Sequence, residues 1–229
     1  DLDRIEVLVE SITDACADND VALLGGETAE HPGIIDSDRF DIAATALGVV
    51  ELGDEVDNER IDVGDVIIGV HSPNLRTSGF ALVRALIVDQ LDLEATFPGS
   101  DRSFAEMLLD PSVVYAPSVV NALARAEPHG LAHIKDGGLP VCVSRILPDG
   151  AAAAIERSRW DVPEVFHVLQ NLSSASDDAM FQMFNMGIGF VAIAPEGDAD
   201  RLIKGFNSYD QAATVIGRIV QGDGGVEIA

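Results

Sequence analysis

The sequence predicts a mixed α/β fold, and three observations support it. Short apolar runs such as Val66-Ile67-Ile68-Gly69-Val70 have strand length and are bounded by turn residues. Between them lie segments whose apolar residues recur every three or four positions, as in amphipathic helices. The two patterns alternate along the chain without repeats or low-complexity tracts, which gives an α/β or α+β architecture. At 229 residues, 47% hydrophobic and 23% charged, the chain can bury a core in one large domain or two smaller ones.

Taken in order, residues 2–18 place Leu2, Ile5, Leu8, Ile12, Ala15 and Cys16 on one helical stripe. This stripe needs cover from its first turn, which suggests a chain cut from something longer or packed on another subunit. Val21-Ala22-Leu23-Leu24 reads as a short strand. The loop Gly25-Gly26-Glu27-Thr28-Ala29-Glu30-His31-Pro32-Gly33 follows, and Gly-Gly and Pro-Gly both break a helix. Residues 40–51, rich in small and β-branched side chains, read as a long strand. The polar, turn-rich stretch 52–65 marks a domain boundary. Beyond it come strand 66–70, helix 80–91, helices near 103–109 and 117–126, and strand 131–134. Helix 139–147, strand 151–155, helix 163–170 with proline in its first turn, and helix 177–184 follow. Strand 188–194, helix 198–206 and a closing pair of strands, 214–220 and 226–228, complete the order.

Composition excludes several classes. The formal net charge is −25, and Lys135 and Lys204 are the only lysines. Such a surface repels nucleic acid and anionic membranes, so neither is expected as a partner. An anionic substrate has to be met locally, by backbone N–H groups, a metal ion or an arginine. The two cysteines, Cys16 and Cys142, give no disulfide framework, and a reducing, cytoplasmic location is expected. No run approaches the ~18 apolar residues of a membrane span, and no signal segment opens the chain.

Three further loops pair glycine with polar side chains. In His71-Ser72-Pro73-Asn74-Leu75-Arg76-Thr77-Ser78-Gly79, Ser72, Thr77, Ser78 and Arg76 precede a helix, where free N–H groups and the dipole favour an anion. The same hydroxyls would serve equally as ordinary helix caps. Lys135-Asp136-Gly137-Gly138 repeats the strand–glycine–helix design after His133. Asn185-Met186-Gly187-Ile188-Gly189 leads into a strand. None is a P-loop, and no His/Cys cluster has zinc spacing.

Together these stretches resemble the phosphoribosylformylglycinamidine cyclo-ligases, or aminoimidazole ribonucleotide synthetases. Gly25 to Gly33 looks like their signature. Gly64-Asp65-Val66-Ile67-Ile68 resembles the family's G-D-V-[IL], and Ser78-Gly79-Phe80-Ala81-Leu82-Val83-Arg84 its S-N-G-[FY]-S-L-[VA]-R. Leu131-Ala132-His133-Ile134 with Gly137-Gly138 resembles A-H-[IV]-T-G-G-G. Arg145-Ile146-Leu147-Pro148 resembles R-[VI]-[LI]-P, and Phe184-Asn185-Met186-Gly187-Ile188-Gly189 resembles F-N-[MC]-G-[VI]-G. The six matches are collinear.

The resemblance implies a two-domain PurM-like fold. Residues 1–52 would be the C-terminal part of an N-terminal dimerisation and ATP-binding domain, and 53–229 the complete C-terminal domain. It implies a homodimer with a cleft between domains. It also implies an ATP- and Mg²⁺-dependent ligase in purine biosynthesis that closes the imidazole ring of formylglycinamidine ribonucleotide, releasing ADP and phosphate. Activating the formyl oxygen by phosphorylation makes a poor leaving group a good one. Carried over, Glu27 would serve catalysis and hold the metal, beside Gly25, Gly26 and Thr28 at the nucleotide. Ser72, Arg76, Thr77, Ser78 and Gly79 would cradle an anionic group. His133 would be catalytic, with Gly137 and Gly138 lining the cleft and Asn185 and Gly187 shaping its floor.

Three departures qualify this reading. The family's N-terminal third, with its Asp-Gly-Val-Gly-Thr-Lys loop, is absent, so these 229 residues alone are expected to lack a complete ATP site. Lys135-Asp136 stands where the family has Thr-Gly, and Arg76-Thr77-Ser78-Gly79 where it has His-[ST]-Asn-Gly. The alternative is a non-catalytic fragment or diverged paralogue retaining the fold with dimer or ligand binding. A related ATP chemistry on another acceptor, such as thiamine phosphate or selenide, is disfavoured by the six matches.

Overall fold

The computed structural model describes residues 2–36 and 39–229. The chain forms two compact units, divided between Glu55 and Val56.

In the first unit, helix α1 (Leu2–Asp18) forms where its apolar stripe predicts. Leu8, Ile12 and Cys16, four residues apart, are its half-buried positions, and none of its residues is buried fully. The Arg4 guanidinium lies over the Phe40 ring, 5.6 Å from its centre. The expected strands 21–24 and 40–51 are not formed, and their residues are exposed without a sheet partner among the described residues. The physical reason is cooperative. β-Branched composition favours an extended backbone, but a strand needs a neighbour to satisfy its N–H and C=O groups.

In the second unit the strands do find partners. They are β1 (Val66–His71), β2 (Gly130–His133), β3 (Ala151–Ile155), β4 (Ile188–Ala194), β5 (Ala213–Gln221) and β6 (Val226–Ile228). They build one sheet in the order β2-β4-β1-β5-β3-β6. All neighbours are antiparallel except β3 and β6. The expected closing pair therefore needs correction: β5 and β6 do not pair with each other but flank β3 on opposite sides. Their spacing in sequence suggested a hairpin, whereas β3 supplies the hydrogen-bonding edge that both use.

The helices are α2 (Phe80–Asp89), α3 (Phe104–Leu108), α4 (Ala116–Leu123), α5 (Gly138–Ser144), α6 (Glu164–Ser173), α7 (Asp177–Met183) and α8 (Ala199–Asn207). Alternation along the central strands sorts them into two layers. Ile67, Val191, Ile193 and Ile216 pack with Val83, Leu139, Phe166, Leu169 and Met180, from α2, α5, α6 and α7. Val66, Ile68, Val70, Ala192 and Ala194 face the other way, onto Ala122 of α4 and Leu202 and Phe206 of α8. Burial on both faces explains why β1 and β4 read as continuous apolar runs.

Seven ion pairs occur among the described residues, and the one with both side chains well buried is His129 Nδ1 to Asp65 Oδ2, at 2.7 Å. With a net charge of −25, self-repulsion outweighs these few pairs at low ionic strength. Raising NaCl from about 0.05 to 1 M should raise the melting temperature by roughly 5 °C or more, and a flat or falling curve would contradict this.

Candidate functional site

Antiparallel pairing brings three of the four glycine-bearing loops to one end of the sheet. His71, at the end of β1, pairs with Ile188 at the start of β4, and His133, at the end of β2, pairs with Phe190. A register shift between Val70 and His71 turns the chain out of β1 into the 71–79 loop.

Hydrogen bonds fasten these loops to one another. Ser72 N–H donates to Gly187 O at 2.8 Å. Asn185, fully buried, donates from Nδ2 to Asn74 O at 2.9 Å and Leu75 O at 3.3 Å, while its Oδ1 accepts from Gly187 N–H at 2.8 Å. Gly189 O accepts twice, from Ile134 N–H and from Arg76 Nη1, each at 3.0 Å. The Arg76 guanidinium also lies over the Tyr115 ring, 4.7 Å from its centre, and the Tyr115 hydroxyl donates to His71 O at 2.9 Å. The single tryptophan, Trp160, donates to Met186 O at 2.8 Å.

The sequence-predicted residues divide by role in this network. Ser72, Ser78, Asn185 and Gly187 are buried, and Ser72 Oγ donates to Asn74 O at 3.0 Å. Thr77 is exposed. Gly79 caps α2 in the left-handed conformation. Gly137 and Gly138 turn the chain into α5, both with positive φ. His133 presents its ring toward Phe190, centres 6.3 Å apart. Gly25, Gly26, Glu27 and Thr28 belong to the first unit, on an exposed segment without regular structure. Asn74, Tyr115, Trp160 and Phe190 complete the network and were missed from the sequence. Trp160 alone carried a signal, as a large aromatic whose indole N–H needs a partner when buried.

The electrostatics favour neutral imidazoles. His133 is exposed at the end of β2, yet partial desolvation of its ring lowers its pKa, and the positive charges of Arg76 and Lys135 lower it further. Burial also lowers that of His71, against the pull of Asp161. Tyr115 is pushed up by burial, so its phenol stays protonated beside Arg76. A cleft of about 470 Å³ adjoins the loops, lined by His71, Ser72, Asp161, Gly187 and Tyr209 among others.

Among the described residues no group of three or more His, Cys, Asp or Glu side chains could hold a metal ion. Glu27 offers one carboxylate. That donor set suits Mg²⁺ only if phosphate oxygens and water supply the remaining ligands. Among the same residues no helix is long and apolar enough to cross a membrane.

A helix-covered, mostly antiparallel sheet with glycine loops gathered at one end defines a C-terminal domain of the PurM-like class. Its fold resembles thiamine-monophosphate kinase from Stenotrophomonas maltophilia (TM-score 0.54, 22% identity, 77% of this chain and 53% of that one). It likewise resembles Escherichia coli HypE, a hydrogenase maturation protein (TM-score 0.52, 18% identity, 75% and 48%). At such identities the likeness shows the fold alone. Residues 62–229 match the family described as AIR synthase related protein, C-terminal domain, and the chain belongs to it.

Curated relatives are phosphoribosylformylglycinamidine cyclo-ligases. That of Geotalea daltonii is 38% identical over 222 residues, which is 96% of this chain and 64% of the relative. That of Oceanobacillus iheyensis is 37% identical over 224 residues, 98% and 66%. The Bacillus subtilis protein is 37% identical over 223 residues, 96% and 64%. The chain thus spans about two thirds of the length of the relatives it matches.

Proposed function

We propose that this chain is the C-terminal part of an ATP-dependent cyclo-ligase that closes the imidazole ring of formylglycinamidine ribonucleotide in purine biosynthesis. The observation that carries the reading is the joining of His133, the 71–79 loop and Asn185-Met186-Gly187 at one sheet end, in a chain 37–38% identical to cyclo-ligases. Residues 1–52 would belong to an N-terminal domain that pairs two subunits, and the enzyme would be a cytoplasmic homodimer. ATP with Mg²⁺ would supply the activated phosphoryl group, held in part by Glu27 and Thr28 with Gly25 and Gly26.

This chain's own residues would then position and move protons. A neutral His133 can accept the proton that the attacking amidine nitrogen must lose. Backbone N–H groups around Ser78-Gly79 and Gly137-Gly138 would orient the phosphates. The buried amide of Asn185 holds the floor rigid, so less reorganisation is needed when charge develops.

A second reading, a non-catalytic paralogue, draws on one observation: Arg76 is engaged by Gly189 O and the Tyr115 ring, and Asp136 adds a negative charge to the 135–138 loop. Formation of aminoimidazole ribonucleotide separates the two. A protein carrying this chain together with the cyclo-ligases' Asp-Gly-Val-Gly-Thr-Lys segment should turn over, and Glu27→Ala should lower kcat/KM by about tenfold or more. A folded protein with no turnover would establish the second reading, and an unimpaired Glu27→Ala variant would remove Glu27 from the site.

A further inference from the structure

Arg76 stands out on three counts. It is a non-glycine residue with φ of 58°, a conformation that L residues adopt only when their surroundings hold them there. It is half-buried, and burial lowers its pKa, so the charge is kept at a cost. Its side chain nonetheless makes contacts with two other parts of the chain, and its backbone holds the loop locally. Nη1 donates to Gly189 O, which also accepts from Ile134 N–H at the end of β2. The guanidinium plane covers Tyr115, which precedes α4 and binds back to His71 O. The backbone N–H of Arg76 donates to Asn74 Oδ1 at 3.1 Å, and Asn74 Nδ2 donates to Pro111 O at 2.8 Å.

A flat guanidinium can donate in its plane and stack on an aromatic face at the same time, and an ammonium cannot. The carbonyl that it holds is the one that closes the β2–β4 ladder beyond His133. The charged groups acting on His133 are Arg76, from the loop before α2, and Lys135, two residues further along its own loop. Phe190 packs beside the ring without charge.

We propose that Arg76 is a positioning residue: a clamp that fixes the start of β4 against the end of β2 and keeps a permanent positive charge beside His133. Its catalytic consequence rests on the cyclo-ligase reading, whereas the clamp itself does not. Losing the clamp frees Gly189 O and lets the Ile134 amide open. Losing the charge lets the imidazole protonate more easily, so the neutral fraction at pH 6–7 falls.

The test uses Arg76→Met and Arg76→Lys, read first by NMR without reference to turnover. In Arg76→Met the His133 titration midpoint, assigned with His133→Gln, should rise by about half a pH unit or more. In Arg76→Lys the midpoint should stay near that of the parent, because the charge remains. In both variants Ile134 N–H should exchange about tenfold faster, because neither side chain can stack and donate together. An unmoved midpoint in Arg76→Met, or unchanged Ile134 exchange in both variants, would overturn the proposal. If Arg76→Met does not fold, Arg76→Lys still decides the clamp, and Arg76→Gln takes the place of Arg76→Met in the titration: a His133 midpoint unmoved in Arg76→Gln overturns the charge. In an active protein, kcat should fall about tenfold in Arg76→Met with KM changed less than about threefold. Failure of turnover in the parent would sink the cyclo-ligase reading and leave the NMR result standing.

Discussion

Replacing Gly138 by alanine should lower the melting temperature by roughly 10 °C, corresponding to about 4 kcal/mol for a chain of this size. Two effects act together. Gly138 has φ of 59°, where a side chain strains the backbone by about 1 kcal/mol. A Cβ built there would also lie 1.8 Å from Phe181 O and 2.9 Å from Phe184 O. These are backbone atoms at the end of α7, so no rotamer change can relieve the overlap, and the start of α5 has to move away from α7. Gly150 provides the control. Its φ is 84°, but nothing lies within 4 Å of the same construction. Gly150→Ala should therefore cost only the conformational part, about 1 kcal/mol. Thermal melts of the two variants separate close packing from backbone strain, and equal losses would refute the packing argument. Because Gly138 ends the loop that begins beside His133, the change should also disturb that loop, seen as shifted amide resonances over 134–139.

The same residues show what was legible in the sequence. Gly137-Gly138 after a short strand announced a turn into a helix, and α5 begins there. All six strands of the second unit coincide with apolar runs read from sequence, most clearly β1 and β4, which are buried along nearly their whole length. Pairing order was not legible. Val226–Ile228 is too short to say which strand it joins, and it lies parallel to β3. In the first unit the apolar patterns at 21–24 and 40–51 were read correctly as patterns, but a pattern records a propensity, and the ladder that would realise it requires a neighbour. The candidate site divides the same way. Its loops were visible as glycine clusters, whereas Tyr115 meets His71 across 44 positions and Asn74 meets Asn185 across 111, which no local spacing reveals. Arg76 was read as an anion ligand from its place before a helix. Its inward turn depends on Gly189, far along the chain, and so lay beyond any local rule.

Asn185 carries the other large effect. Asn185→Ala should destabilise by about 3 kcal/mol, and Asn185→Asp by more at neutral pH. The asymmetry follows from which partners are left alone. Asn74 O retains the Ser72 hydroxyl, and Leu75 O retains Ser78 N–H at 3.3 Å, so each loses one of two donors. Among the described residues Gly187 N–H has Asn185 Oδ1 as its acceptor, and in the alanine variant it is left buried without it, the costlier outcome. Aspartate keeps that acceptor but turns a carboxylate toward two carbonyl oxygens in a site closed to water. Its folded-state pKa is thereby raised above the unfolded value of about 3.9. A raised carboxyl pKa means that the folded state binds the proton more tightly, so the variant's deficit is full above the folded pKa. It shrinks as pH falls toward the unfolded value, where a neutral carboxyl can donate to Asn74 O or Leu75 O. Denaturant titrations at several pH values, followed by the emission of Trp160 on Met186 O, would measure this directly. A deficit in Asn185→Asp that does not narrow on acidification would show that the amide's two donors are not what joins the 71–79 loop to the start of β4.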